Sequence, residues 1–167
     1  MQGELTEDQI ERVLYAKSIG RIGCQEHGKM YILPINYAYD GEDLYATTLD
    51  RSKIQMMRTH PAVCFQVDQI EDSAHWRSVL LWGTFQELAG EEAAKALKLL
   101  TQRFMTAIAS GHTLHEMRVG ADRQAGQPHP AIMVYRIHIT EKSGRFEQTE
   151  RETTWNEANG GEVKDTL

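Results

Sequence analysis

A chain of 167 residues, 41% hydrophobic and 25% charged, is long enough for one domain with a real core and lies in the globular range, which excludes a disordered or fibrous body. Its net charge of −6 repels a polyphosphate backbone and argues against nucleic acid as a partner. The opening MQGELTEDQI is acidic where an export signal needs a basic patch and an apolar run. No apolar stretch approaches the roughly twenty residues of a membrane helix, so a cytoplasmic protein without a membrane partner is expected.

Thr6 and Gln9 form a capping box ahead of Ile10, Val13 and Leu14 at helical spacing, which predicts a first helix over Glu7 to Ser18 with Gly20 as its stop. The hydrophobic period then drops to two. Strands are expected over Arg21 to Gln25 and Met30 to Tyr39, joined by a turn at Gly28, and Asp40-Gly41 turns the chain into a third strand, Asp43 to Thr48. Ser52 to His60 carries Ile54 and Met57 on one side and predicts a short helix ended by Pro61. Further strands follow over Ala62 to Val67 and Arg77 to Leu88, with an acidic loop between them and Gly83 marking a bulge or close approach.

A second long helix is expected over Gly90 to Ile108 and a sixth strand over Ala131 to Thr140, separated by a polar excursion from Ser110 to Pro130. After Glu141 the chain is charged with little periodicity, so it is expected to be mostly unstructured except where Phe146 and Trp155 dock. The domain boundary is placed accordingly, with a barrel domain over 1–140 and a polar extension over 141–167. The fold class that results is mainly β, a six-stranded antiparallel Greek-key split barrel with flanking helices. Cys24 and Cys64 lie in apolar strand-like runs without a CxxC partner and read as reduced core thiols rather than a disulfide or zinc pair.

Where the third strand enters the short helix, Thr47, Thr48, Arg51, Ser52 and Lys53 gather hydroxyls and positive charge around backbone N–H groups that a helix leaves unpaired. An anion such as phosphate suits this place. The alternative is a capped surface helix with incidental basic residues.

The segments GRIG at Gly20 to Gly23, PINYAYDGEDLYATT at Pro34 to Thr48, SKIQMMRTHPAVCFQVD at Ser52 to Asp68 and WRSVLLWGTFQEL at Trp76 to Leu88 resemble the pyridoxamine 5′-phosphate oxidase-like family of flavin-binding split barrels, in its nitroimidazole-resistance-like branch. The EKSGRF continuation fits the end of that fold. The resemblance implies a homodimer with FMN at the subunit interface. It places the FMN phosphate near Arg51, Ser52 and Lys53, and runs Pro34, Ile35, Asn36 and Tyr37 under the isoalloxazine. Thr47 and Thr48 would line the ribityl chain or ring, while Trp76, Arg77, Ser78 and Val79 complete the pocket. Nitroimidazole-reducing members often carry a histidine where this chain has Thr47, and the basic substrate pocket of true pyridoxamine phosphate oxidases is not evident. Resemblance therefore implies an FMN-dependent oxidoreductase acting on a small molecule; alternatives are a flavin-binding or redox-sensing protein without turnover, a deazaflavin protein, or a haem-binding relative.

Among the histidines, His75 beside Trp76 is the weak candidate for a catalytic proton donor, against a plain loop histidine. His112 and His115, with Glu116 and His129 nearby, read as a polar loop rather than a metal site, because their spacing misses the helical zinc pattern by one residue. They would supply the axial ligand in the haem alternative. His27 reads as a solvated turn residue and His60 as a side chain at a helix C-terminus. Trp155 in the polar tail suggests that the tail crosses to a second subunit.

Overall fold

The computed structural model describes residues 1–109 and 132–148. Seven strands and three helices follow one another as β1 (Gln2–Glu4), α1 (Glu7–Ala16), β2 (Ile19–Glu26), β3 (Lys29–Tyr39), β4 (Asp43–Thr48), α2 (Arg51–Thr59), β5 (Ala62–Asp72), β6 (His75–Leu88), α3 (Gly90–Ala109) and β7 (Met133–Gln148). All pairings are antiparallel, in the order β1-β7-β4-β3-β2-β5-β6. A further pairing of β6 with β7 closes the sheet. The barrel is therefore the expected six-stranded one, with β1 as a seventh strand laid against the second half of β7. Three residues are too few to show an alternation, so β1 is invisible in the sequence and exists because β7 offers it an edge.

The largest departure lies in β7, which runs unbroken through the expected boundary at 140/141 to Gln148. Polar residues conceal it: Glu141, Arg145 and Gln148 point to solvent while Gly144 is buried. A Cβ on Gly144 would come within 2.8 Å of Ile10 and 2.9 Å of Leu5, so the small residue seats α1 on the barrel. Phe146 docks there as expected, packed against the core, while Trp155, His112, His115, Glu116 and His129 fall outside the described residues. The presumed acidic loop after Val67 likewise continues β5 to Asp72, and α1 ends at Ala16 rather than Ser18 because the chain turns extended at Lys17.

Strand alternation sorts side chains between the barrel interior and its outer face. Ile22, Ile35, Tyr37, Leu44, Phe65, Val79, Leu81, Tyr135 and Ile137 fill the interior, with Ile10, Val13 and Leu14 of α1 plugging one end and Ile54 and Met57 of α2 the other. Tyr37 meets Phe65 edge-on at 4.9 Å and donates its hydroxyl to the Leu14 carbonyl at 2.9 Å. Arg103 of α3 holds the last carbonyls of α1, those of Tyr15 and Lys17. Cys24 points inward and is buried, and Cys64 points outward and is half-buried, both as free thiols. Gly83 sits at the β6–β7 bulge, where a Cβ would lie 2.5 Å from the His138 carbonyl oxygen. Among the described residues no helix is long and apolar enough to cross a membrane.

Tyr135 is fully buried, yet its hydroxyl has no hydrogen-bond partner. An orphaned buried hydroxyl costs about 1–3 kcal/mol of desolvation. Tyr135→Phe is therefore expected to raise the unfolding free energy by about 1 kcal/mol or more in urea denaturation, and a loss of stability would show that the hydroxyl is satisfied in solution.

Candidate functional site

Asp50, the residue before α2, decides the chemistry of the expected anion cradle. Its carboxylate accepts from the backbone N–H groups of Ser52 (2.9 Å) and Lys53 (3.4 Å) and from the Ser52 hydroxyl (2.6 Å), while its own N–H donates to Thr48 Oγ1 (3.0 Å). The helix thus carries its own anion at the N-terminus. Those donors hold the Asp50 carboxyl below its ordinary value, the Ser52 hydroxyl most of all. What remains for an incoming phosphate at this end is the Arg51 N–H and the side-chain charge of Arg51 and Lys53, together with half-buried Thr47 and Thr48. The capped-helix alternative describes the backbone; the two cations remain beside it.

The other expected site residues divide by face. Ile35, Tyr37 and Val79 are buried and turn their side chains into the core, so only their backbone can meet a ligand. Pro34 is exposed and Asn36 half-buried on the opposite face of β3. On β6, Arg77 is exposed, whereas Trp76 and Ser78 are half-buried, with the Trp76 indole N–H donating to Glu147 (3.2 Å) and Ser78 Oγ accepting from Gln66 (3.2 Å).

The register places these two groups at opposite ends of one protomer. Thr48 pairs with Met133 at the start of β7, and Trp76 pairs with Glu147 near its end. At about 3.3 Å per residue the two points are separated by roughly 45 Å of strand. Arg51, Ser52 and Lys53 therefore do not share a pocket with Trp76, Arg77 and Ser78 of the same chain.

Trp76 and Ser78 instead line an open cavity of about 400 Å³ on the outer face of β2, β5, β6 and β7. Arg21, Gln66, Ser143 and Arg145 line it with them, over an apolar floor of Ile32, Cys64 and Leu80. The sequence reading missed all four polar residues. Arg21 and Gln66 carry a signal, since they occupy non-core positions of alternating strands; Ser143 and Arg145 do not, because their strand was not recognised.

His75 begins β6 rather than lying in a loop, and its Nδ1 is 2.8 and 2.9 Å from the two carboxylate oxygens of Asp72. That contact orients the ring and lowers the Asp72 pKa. A small hollow of about 80 Å³ adjoins it. His60 caps the C-terminus of α2, and His27 adopts a left-handed turn conformation with φ of 49°. No group of three or more His, Cys, Asp or Glu able to hold a metal occurs among the described residues.

Comparison with known proteins agrees with this barrel. Residues 6–146 match the family model described as pyridoxamine 5′-phosphate oxidase. The chain belongs to this family. An uncharacterised protein of Rhizobium meliloti (strain 1021) is 32% identical over 84 residues, which cover 50% of this chain and 56% of that relative, so the match spans little more than half of the relative's length. Among solved structures, a FAD-binding protein of Mesorhizobium loti has a TM-score of 0.69 at 24% identity, covering 89% of this chain and 98% of its own. A FAD- and haem-binding protein of Mycobacterium smegmatis has a TM-score of 0.64 at 16% identity, covering 89% and 74%. At these identities the likeness to the solved structures is one of fold, and the family's split barrel is the one described above.

Replacing the cap tests the account of α2. Asp50→Ala is expected to cost about 1 kcal/mol, and Asp50→Asn much less, because asparagine caps nearly as well. Because the folded-state pKa of Asp50 is depressed, the ionised cap's contribution is present above the unfolded value and is lost as pH falls through the folded one. The gap between wild type and Asp50→Ala in thermal melts should therefore be full at neutral pH and shrink in acid.

Proposed function

We propose that this family member binds FMN and works as an FMN-dependent oxidoreductase on a small molecule, with the site completed between two copies of the chain. The observation that carries the reading is the division of the pocket. Two cations with two threonines stand at one end of the barrel, and an aromatic and hydroxyl pair lines a cavity at the other. The outer face between them is apolar and open, with Met30, Ile32 and Ile70 exposed by 65%, 71% and 68% and Trp82 by 38%. Such a face favours a protein partner, and a second copy would bring one chain's cationic end to the other chain's Trp76 end.

The donor set suits the cofactor. Arg51 and Lys53 offer charge-assisted contacts to a phosphate, without the helix amides that Asp50 occupies, and Thr47 and Thr48 offer hydroxyls to a polyol chain. The backbone of Pro34, Ile35, Asn36 and Tyr37 supplies polar groups beside the ring. Trp76, Arg77, Ser78 and the backbone of Val79 form the wall from the second copy. A bound flavin supplies hydride or electron transfer, and the protein supplies orientation and electrostatics. His75, oriented by Asp72, serves as the proton donor in this reading. The FAD-binding relatives of like fold support a flavin, and a single pair of cations at the phosphate end favours FMN over FAD.

The visible spectrum of the purified protein, with the released chromophore identified by mass, tests the cofactor. A colourless protein that takes up no FMN in titration would overturn the proposal. Arg51→Gln and Lys53→Gln should each weaken FMN binding roughly ten- to a hundredfold, as loss of a charge-assisted contact worth about 1.5–3 kcal/mol implies, with riboflavin affinity nearly unchanged. Ile32→Glu should convert a dimer into monomers in sedimentation and release flavin with it.

A further inference from the structure

Asp50 and Ser52 form a closed pair at the mouth of α2 before any ligand arrives. The Ser52 hydroxyl lies 2.6 Å from Asp50 Oδ1 and donates its only proton there. It is left as an acceptor, with nothing to give an anion. The N–H groups of Ser52 (2.9 Å) and Lys53 (3.4 Å) converge on the same oxygen, so one carboxylate oxygen gathers three donors that a phosphate at this end would otherwise use.

The charge of that carboxylate is fixed by the fold. Asp50 is also tied from behind, its own N–H donating to Thr48 Oγ1 at 3.0 Å. The Ser52 hydroxyl does most to hold the carboxyl low and the Lys53 charge does least. Neither the Arg51 nor the Lys53 side chain has a hydrogen bond or ion pair among the described residues. The first turn contains no acidic residue, and Arg58 in the last turn is spent on Glu87 at 2.6 Å. This end of the barrel therefore presents two free cations and one fixed anion, in a chain of net charge −6.

A phosphate monoester carries close to two negative charges at neutral pH. Drawn to Arg51 and Lys53, it enters the same turn of α2 as the Asp50 carboxylate. Like charges repel as strongly as opposite charges attract at equal distance, so Asp50 cancels a share of what the two cations contribute. A neutral polyol feels none of this.

We propose that Asp50 is the specificity-determining residue of the phosphate end: its fixed carboxylate opposes a dianionic phosphate and holds down the preference of the chain for FMN over riboflavin. The inference rests on the flavin reading and deepens it, by naming the group that sets how strongly the site weighs the cofactor's charge. Asp50 stabilises α2 and weakens the hold of α2 on a phosphate. Replacing it moves stability and affinity in opposite directions.

Asp50→Asn keeps an N-cap and removes the charge, so the helix is retained while the repulsion goes. In fluorescence titrations of the purified full-length chain, Asp50→Asn should bind FMN about tenfold more tightly than wild type, a gain that shrinks as salt is raised. Riboflavin affinity should stay within about twofold, because the neutral ligand meets no repulsion. Asp50→Ala should also bind FMN more tightly although it melts at a lower temperature, a reversal that a purely structural cap does not produce. Ser52→Ala should leave FMN affinity within about twofold, since the Ser52 proton is already given to Asp50. Unchanged or weaker FMN binding in Asp50→Asn overturns the proposal, and so does a loss of about tenfold or more in Ser52→Ala, which would assign the hydroxyl to the phosphate. Inorganic phosphate separates this proposal from the flavin reading: it should raise the melting temperature of Asp50→Asn more than that of wild type, and equal shifts overturn the proposal. The larger shift in a chain that takes up no flavin overturns the flavin reading alone, and equal FMN affinity in the two forms overturns only this one.

Discussion

The pairing of β6 with β7 closes the barrel, and the remainder of the structure hangs on it. His75 to Leu88 lie against Gln148 to Val134, with one bulge between Trp82 and Gly83 that admits Thr140 as an extra residue. The closed sheet has an inside and an outside, and the alternation of each strand then assigns every side chain to one or the other. Val79 and Leu81 fill the core while Ser78 and Leu80 between them face out. Closure also provides the seat for α1: Gly144 of β7 is the floor on which Leu5 and Ile10 rest, and Lys142 donates to Glu11 and to the Tyr39 hydroxyl, each at 2.6 Å. Burial first of all pushes the Tyr39 hydroxyl up to about 12, so it stays neutral, accepting from Lys142 and donating to Glu11.

The same closure separates the chemistry. A barrel of long strands has two ends, and the two cations in the first turn of α2 lie at one while Trp76 and His75 lie at the other. In the proposed function one protomer supplies two half-sites, with an exposed apolar face between them. Asp50 adds a second constraint. By satisfying the Ser52 and Lys53 amides of α2 from within the chain it stabilises the helix without a ligand, and it leaves a phosphate at that end mainly side-chain contacts. Such contacts depend on Arg51 and Lys53 in a way that backbone contacts would not.

Much of the fold was legible in the residues, and the reasons differ by element. The Thr6–Gln9 capping box is present as read, with Thr6 accepting from the Gln9 N–H at 3.4 Å and Gln9 accepting from the Thr6 N–H at 2.9 Å. The Asp-Gly turn and β4 stand where the pattern put them, because turn chemistry and a two-residue period are local properties. The second halves of β5 and β7 escaped notice because they are half-polar on both faces, and they are strands only through their partners. In the site, the presence of Arg51, Ser52 and Lys53 at a strand-to-helix junction was evident, but the use of the amides by Asp50 was not, since a capping carboxylate and an open cradle look alike in one dimension.

What the sequence determined by itself was the set of local conformations: capped helices, hairpin turns, the alternation that marks a core face, and the family to which the ordered segments point. Only the tertiary structure decided which of those residues meet. Arg21 and Arg145 stand 124 positions apart in the chain and flank one cavity, whereas Arg51 and Trp76 are near in sequence and lie at opposite ends of the barrel. The physical reason is that strand register, set by closure of the whole sheet, fixes distance across the barrel, and no local preference of backbone or side chain contains that information.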